Sequence, residues 1–265
     1  MAQWDKITSR GNVQDRRGMS PIIGGVSVTG VVALLAINFL MGGNLNSGLD
    51  LISRLPIQQE QRKITNQFDG KDSYEVFASE VLGSANDVWK TKTNNYREPA
   101  LVLFRESTNS DCGGATSDVG PHYCPLDNTI YLDETFFEEL TNRFGAKGGD
   151  VAEAYVIAHE VGHHVQHLSG TLSETSTNES QVKVELQADC YAGIWANSLK
   201  DQGVFLPDEI QEAIDAAASV GDDRIQKKVT GQVNPETWTH GSSQMRVSAF
   251  TTGYESGNVA SCEDI

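Results

Sequence analysis

Hydrophobic positions along the chain alternate between helical and strand spacing. Val76, Phe77, Val81 and Leu82 recur near helical spacing and predict a helix that Asp72-Ser73 caps and that runs to about Lys90. Short apolar runs at 100–104 and 129–132 predict strands, with a Gly- and Ser-rich loop between them. Asp133 can cap a helix through Phe136, Phe137 and Leu140, and Gly148-Gly149-Asp150 opens another over about 151–168. A polar loop at 169–180 leads into a long helix over about 181–200. A further helix begins at Pro207, where proline and the acidic pair Asp208-Glu209 suit a first turn, and a last one covers about 242–255. The pattern predicts an α+β fold, mostly helical, with a small sheet.

One stretch departs from this picture. From Gly18 to Leu49 there is no charged residue, and Ile22 to Met41 matches the roughly 20 residues that cross a bilayer core. It lacks the amphipathic stripe of a buried core helix and has no clear cleavage site after it, so it reads as a retained signal anchor. Lys6, Arg10, Arg16 and Arg17 precede it and place the N-terminus in the cytoplasm. The expected organisation is a cytoplasmic tail over 1–20, a transmembrane helix over 21–41, a linker over 42–71 and an extracytoplasmic domain over 72–265.

Composition adds two restrictions. The formal net charge is −16, so the chain repels a phosphate backbone and a nucleic-acid partner is not expected. The cysteines Cys112, Cys124, Cys190 and Cys262 all lie beyond the apolar run, with no Cys-x-x-Cys pair. An even count on one side of a membrane suits two disulfides in an oxidising compartment, Cys112–Cys124 and Cys190–Cys262, with four reduced, buried thiols as the alternative.

The chemistry gathers on the helix at 151–168. His159 and His163 are four residues apart, so they lie about 40° apart around the helix axis, one turn above the other. Two imidazoles so placed can bind one Zn²⁺, and Glu160 between them can take a proton from the metal's water. Ser169 stands ten residues after His159, where one class of zinc peptidases has its third ligand His. His164 is rotated off the ligand face and His167 drifts from it, so both read as solvent or second-layer residues. Glu185, 22 residues beyond His163 on the next helix, is the candidate third ligand. Asp189 is four residues further along the same face and can accept a hydrogen bond from His159.

His159-Glu160-Val161-Gly162-His163 with Glu185 to Asp189 resembles the gluzincins. It also resembles the membrane zinc peptidases that process prenylated proteins and misfolded membrane proteins. Nearly the whole chain is similar to the bacterial family called putative neutral zinc metallopeptidases, which is named from its motif, through Asp15-Arg16-Arg17-Gly18, Tyr123-Cys124-Pro125, Ile130 to Asp133, Ala158 to His164, Glu185 to Cys190 and Thr239-His240-Gly241. The resemblance implies a zincin-like fold, one Zn²⁺ and a protein or peptide substrate, with no particular substrate named. By analogy with the membrane peptidases, His240 or Arg246 stabilises the oxyanion. Gly241 departs from the proline found there, and the alternative is that both residues cap or pair near the last helix. Ile130 to Leu132 is either an edge strand to which an extended substrate adds or an ordinary buried strand.

The expected function is therefore membrane-anchored, zinc-dependent hydrolysis of peptide bonds. The competing expectations are an inactive metal-binding scaffold and a zinc amidase acting on a non-peptide or cell-wall amide.

Overall fold

Capping residues start several helices where the pattern places them. The structure, a computed structural model, describes residues 1–18, 22–23, 26–27, 72–172, 177–206, 208–263 and 265. Helix α1 (Ser73–Lys92) begins at Asp72, whose carboxylate accepts from the backbone N–H of Tyr74 and Glu75. Helix α2 (Thr135–Phe144) follows Asp133, which accepts from the backbone and hydroxyl of Thr135. Helices α3 (Asp150–Ser169) and α4 (Asn178–Leu199) come next, the second opened by Thr177 and Ser180 in a reciprocal capping box. The helix expected from Pro207 begins at Ile210 and divides into α5 (Ile210–Ser219) and α6 (Asp222–Thr230). Ser242 caps α7 (Ser243–Ser256).

The strands are β1 (Asn12–Asp15), β2 (Ile22–Ile23), β3 (Val26–Ser27), β4 (Ala100–Leu103), β5 (Ser107–Ser110), β6 (Gly113–Thr116), β7 (His122–Cys124) and β8 (Thr129–Leu132). Four of them form one sheet in the order β1-β4-β8-β7; β1, β4 and β8 run parallel and β7 antiparallel. The edge beside the helices is thus β7, and β8 is interior: Ile130 and Tyr131 are paired on both sides, to β4 and to β7, and Leu132 to β4. This corrects the edge-strand expectation, and it accounts for the continuous burial of Thr129 to Leu132, since an interior strand covered on both faces loses its polar alternation.

Helix α4 runs through the middle of the domain and packs on α3 and α7. At Gly253 an added Cβ would sit 1.9 Å from the Cys190 carbonyl oxygen, and at Gly193 2.1 Å from that of Phe250, so the two backbones touch where neither residue has a side chain. The disulfide Cys190–Cys262 closes the same face, and Cys112–Cys124 ties the β5–β6 hairpin to β7; both have Cα–Cα distances of 5.8 Å. Both pairings are those expected from the sequence.

The N-terminal residues differ from expectation. They are no separate tail, since they complete the same fold as residues 72–265. Strand β1 pairs along its whole length with β4. Trp4 is buried against Phe77, Trp195 and Phe205, and Ile7 and Val13 are buried with it. Gly11 donates to the Ser79 carbonyl at 2.7 Å, so the chain lies directly on α1. Short-range pattern could not reveal this, because Asn12-Val13-Gln14-Asp15 is mostly polar and its partner strand is more than eighty residues away.

The expected membrane segment over 21–41 lies outside the described residues except for Ile22, Ile23, Val26 and Ser27, which pair as short antiparallel strands and not as a helix. The linker over 42–71 lies outside them entirely. Among the described residues no helix is long and apolar enough to cross a membrane.

Candidate metal centre and cleft

Helices α3 and α4 build the site by approaching closely. An added Cβ at Gly162 would meet the Cα and carbonyl oxygen of Ala188 at 3.0 Å each, so glycine between the two histidines lets α4 lie against α3. Glu185 and Asp189, flanking Ala188, are thereby brought over the histidine face.

His159 Nε2 lies 3.3 Å from Glu185 Oε2, and His163 Nε2 lies 3.5 Å from Glu185 Oε1. One ligand atom from each of the three residues falls within 4.8 Å of the others, an N,N,O donor set that could hold a metal ion. Each imidazole is turned by a side-chain acceptor on its other nitrogen. His159 Nδ1 faces Asp189 Oδ1 at 2.9 Å, and His163 Nδ1 faces Gln166 Oε1 at 2.9 Å. Both acceptors place the proton on Nδ1 and leave Nε2 directed at Glu185.

These orienting groups are themselves saturated. Asp189 is fully buried; besides His159 it accepts from the Tyr155 hydroxyl and from Arg246 Nε and Nη2, the last two at 2.8 and 2.9 Å. Gln166 is also fully buried, and its Nε2 donates to the Val184 carbonyl at 2.8 Å and to Gln187 Oε1 at 3.0 Å. Gln166 thus joins the His163 ring to the backbone beside Glu185. Sequence reading passed over it, although its position three residues after His163 places it on the same helix face.

Electrostatics follow from this packing. Burial pushes Asp189 up, but the Arg246 charge and the hydrogen bond from His159 outweigh it and hold the carboxyl down at about 2. Burial disfavours charge on His159, yet the hydrogen bonds to Asp189 and Glu185 keep the ring cationic up to about 10, so a cation bound at Nε2 would replace the proton there and leave the one on Nδ1. Burial likewise pushes Glu185 up, and the charge of His163 with the hydrogen bond from His159 brings it well below the usual carboxylate range. Glu160 is 5% exposed, and its Oε2 has no hydrogen-bond partner among the described residues. An orphaned carboxylate oxygen beside an N,N,O donor set fits a group that handles the proton of a water at the site.

His159, Glu160, His163 and Glu185 line an open cleft of about 880 Å³ together with the edge strand, the Thr239–His240 turn and apolar side chains including Val156 and Ile225. The turn is built around Asp222, at the start of α6. Asp222 Oδ2 accepts from the backbone N–H of Thr239, His240 and Gly241 at 2.8, 2.7 and 3.0 Å. His240 Nδ1 lies 3.0 Å from Thr239 Oγ1 and 3.4 Å from Asp222 Oδ1, and its Nε2 makes no hydrogen bond among the described residues. Gly241 has a φ of 88° and rests on Val182 and Leu186, either side of Glu185, so the turn is seated on the ligand helix. Asp222 lies 18 residues before His240, and no spacing rule links them.

The two oxyanion candidates therefore part company. His240 faces the cleft with one nitrogen unengaged. Arg246 is 3% exposed, and its Nε and Nη2 are spent on Asp189. The other histidines of α3 sit behind the site. His164, 1% exposed, bonds the Tyr123 hydroxyl and the Arg97 carbonyl, and burial lowers it to about 4. His167 bonds the same Tyr123 hydroxyl at 2.9 Å, so the pair clamps edge strand β7 to the site helix.

Comparison with known proteins shows the family of the chain. A family model described as Putative neutral zinc metallopeptidase matches residues 2–265. An uncharacterised protein of Escherichia coli K12, YpfJ, is 37% identical over 286 residues, covering 98% of this chain and 97% of that protein. Uncharacterised proteins of Mycobacterium bovis and Mycobacterium tuberculosis H37Rv, Mb2605 and Rv2575, are each 44% identical over 212 residues, covering 73% of this chain and 72% of those proteins. No solved structure matches the chain. A match over essentially the whole length, N-terminal strand included, means that the chain belongs to the family described as Putative neutral zinc metallopeptidase.

Proposed function

We propose that this chain hydrolyses peptide bonds with one zinc ion held by His159, His163 and Glu185. The observation that carries the reading is the convergence of those three donors beside the orphaned oxygen of Glu160. When bound, zinc would polarise the scissile carbonyl and acidify a water. Glu160 takes the proton of the attacking water and returns it to the leaving amine, first base and then acid. Asp189 and Gln166 hold the two imidazoles in the tautomer that presents Nε2, and Arg246 and Tyr155 hold Asp189. The imidazolium form of His240 donates Nδ1–H to Asp222, which also fixes its backbone, and Nε2–H to the oxyanion. An extended substrate adds to the outer edge of β7, the last strand of the sheet among the described residues.

The test is hydrolysis of an unstructured protein and of a peptidoglycan fragment by the full-length chain, with and without a chelator. Chelator-sensitive, zinc-restored cleavage of the protein supports the proposal. Cleavage of the cell-wall amide alone indicates an amidase. Zinc binding with no hydrolysis of either indicates a scaffold, a role that gives Glu160 no reason to be buried without a partner.

A further inference from the structure

Helix α6 sends its charges in two directions. At its start Asp222 holds the backbone of Thr239, His240 and Gly241, and Asp223 accepts from the Ser243 backbone and hydroxyl at 2.7 and 2.8 Å. Both carboxylates are thus spent inside the fold. Arg224, Lys227 and Lys228 are exposed, and their spacing of three and four residues puts them on one face. Their side chains make no hydrogen bond, ion pair or ring contact among the described residues. Of the other described lysines and arginines this holds only for Arg97.

The basic face borders the cleft. Ile225, next to Arg224 and three residues before Lys228, lines it, as do Phe136, Leu140 and Arg143 of α2. An added Cβ at Gly145, the residue that ends α2, would lie 4.0 Å from Lys228 Nζ, so the ammonium stands where α2 and α6 meet. Gln226 fastens α6 to the chain before His240: its Nε2 donates to Thr237 Oγ1 at 2.9 Å, and its Oε1 accepts from the Asn234 N–H at 2.8 Å. The basic face and the His240 turn are therefore carried by one helix.

Helix chemistry accounts for part of this face. Lys227 and Lys228 lie in the last turn and complement the C-terminal end of α6. Arg224 does the opposite, with an unpaired cation in a first turn where the helix dipole favours anions. The whole chain carries −16, so three free cations on one face reverse its sign locally. Salt confines that reversal to about 8–10 Å. An extended anionic surface such as a bilayer would also meet the negative charge around the patch, whereas a short acidic segment in the cleft meets the patch alone.

We infer that Arg224, Lys227 and Lys228 select substrates that carry acidic side chains close to the scissile bond. The inference rests on the peptidase reading and names its substrate class: an extended peptide with Asp or Glu on the side of the bond that runs along α6. From Asp222, which holds His240, to Lys228 the helix rises about 9 Å. An extended chain covers that length in about three residues, which is the distance from the bond at which the acidic side chains belong.

The experiment takes one peptide that the full-length, zinc-loaded chain cuts, and compares versions with a run of Glu or a run of Gln on either side of the bond. On one side the Glu version should be preferred by about tenfold in kcat/KM, with the difference in KM and fading at about 0.5 M salt. Replacing Arg224, Lys227 and Lys228 together by Gln should bring that preference close to one, and Lys227→Arg with Lys228→Arg should retain it. Equal use of the Glu and Gln versions by the wild-type chain, or a preference that survives in the Gln variant, would overturn the inference. If no peptide is cut, the peptidase reading fails, and the anisotropy of a fluorescent Glu-rich peptide and its Gln counterpart decides this inference by itself. Tighter binding of the Glu peptide, lost in the Gln variant, supports it; equal binding overturns it. Binding to phosphatidylglycerol vesicles through the same three residues, without discrimination between the peptides, would overturn it in favour of a lipid surface.

Discussion

Arg246 and Asp189 form a two-point ion pair, Nε to Oδ2 at 2.8 Å and Nη2 to Oδ1 at 2.9 Å, and the same carboxylate turns the His159 ring. The pair is buried on both sides, so losing either partner strands a charge. Arg246→Ala should lower folding stability by about 3–5 kcal/mol and weaken metal binding with it. Denaturation and a chelator competition, run on the same preparation, check this. Full stability and metal affinity, with only kcat reduced, would return Arg246 to the role of oxyanion donor.

Gln166 should matter for the metal and much less for the reaction. Its amide accepts from His163 and donates to the backbone beside Glu185. Gln166→Ala should lower zinc affinity by about 10–100-fold, read by competition with a chromogenic chelator. In Gln166→Glu the acceptor for His163 survives while the donors to Val184 and Gln187 are lost, so an intermediate affinity is expected. Affinity equal to wild type in both variants would remove Gln166 from the account.

The His240 turn should separate chemistry from binding. His240→Ala should keep its zinc and lose kcat by about 10²–10³-fold, with little change in KM. Asp222→Asn should lower kcat as well, through the ring it holds, without loss of metal. Near wild-type kcat in His240→Ala would leave the residue with a structural role only.

Asp222 also carries a pH signature. Burial pushes its carboxyl up, but the hydrogen bonds from His240 and Thr239 and the His240 charge bring it below the ordinary value near 3.8. A carboxyl lowered in the folded state stabilises above that ordinary value, and the contribution disappears as pH falls through the lowered one. Asp222→Asn should therefore be less stable than wild type at pH 7, with the gap narrowing below about pH 4. Denaturant titrations at the two pH values check this, and a gap independent of pH would contradict it.

The disulfides should contribute unequally. Their separations of 12 and 72 residues correspond to about 3 and about 4 kcal/mol in the chain-entropy model. Replacing Cys190 and Cys262 by Ser should accordingly cost more stability than replacing Cys112 and Cys124, as measured by thermal unfolding of the two double variants.

What the sequence disclosed follows the range of the interactions. His159, Glu160 and His163 were legible because one helix turn fixes their relation, and Glu185 and Asp189 because a second helix repeats the same four-residue step. Gln166 lay within reach of the same rule. Asp222 was hidden because it meets His240 only through the turn that α6 and α7 bring together. Strand β1 was hidden for a similar reason: its residues look like a polar tail until Leu101 and Leu103 are alongside. Charge counting along the sequence likewise cannot see that Arg10 and Arg17 have carboxylate partners in the domain.

The central claim is that Glu160 moves the proton at a zinc held by other residues, and the Glu160→Gln chain tests it most directly. Zinc content and turnover of one peptide should be measured on the same sample as the wild-type chain. The account predicts unchanged zinc content with hydrolysis reduced by about 10²–10⁴-fold, because Gln keeps the shape of Glu and cannot take the proton. Turnover close to wild type in the zinc-loaded variant would contradict it.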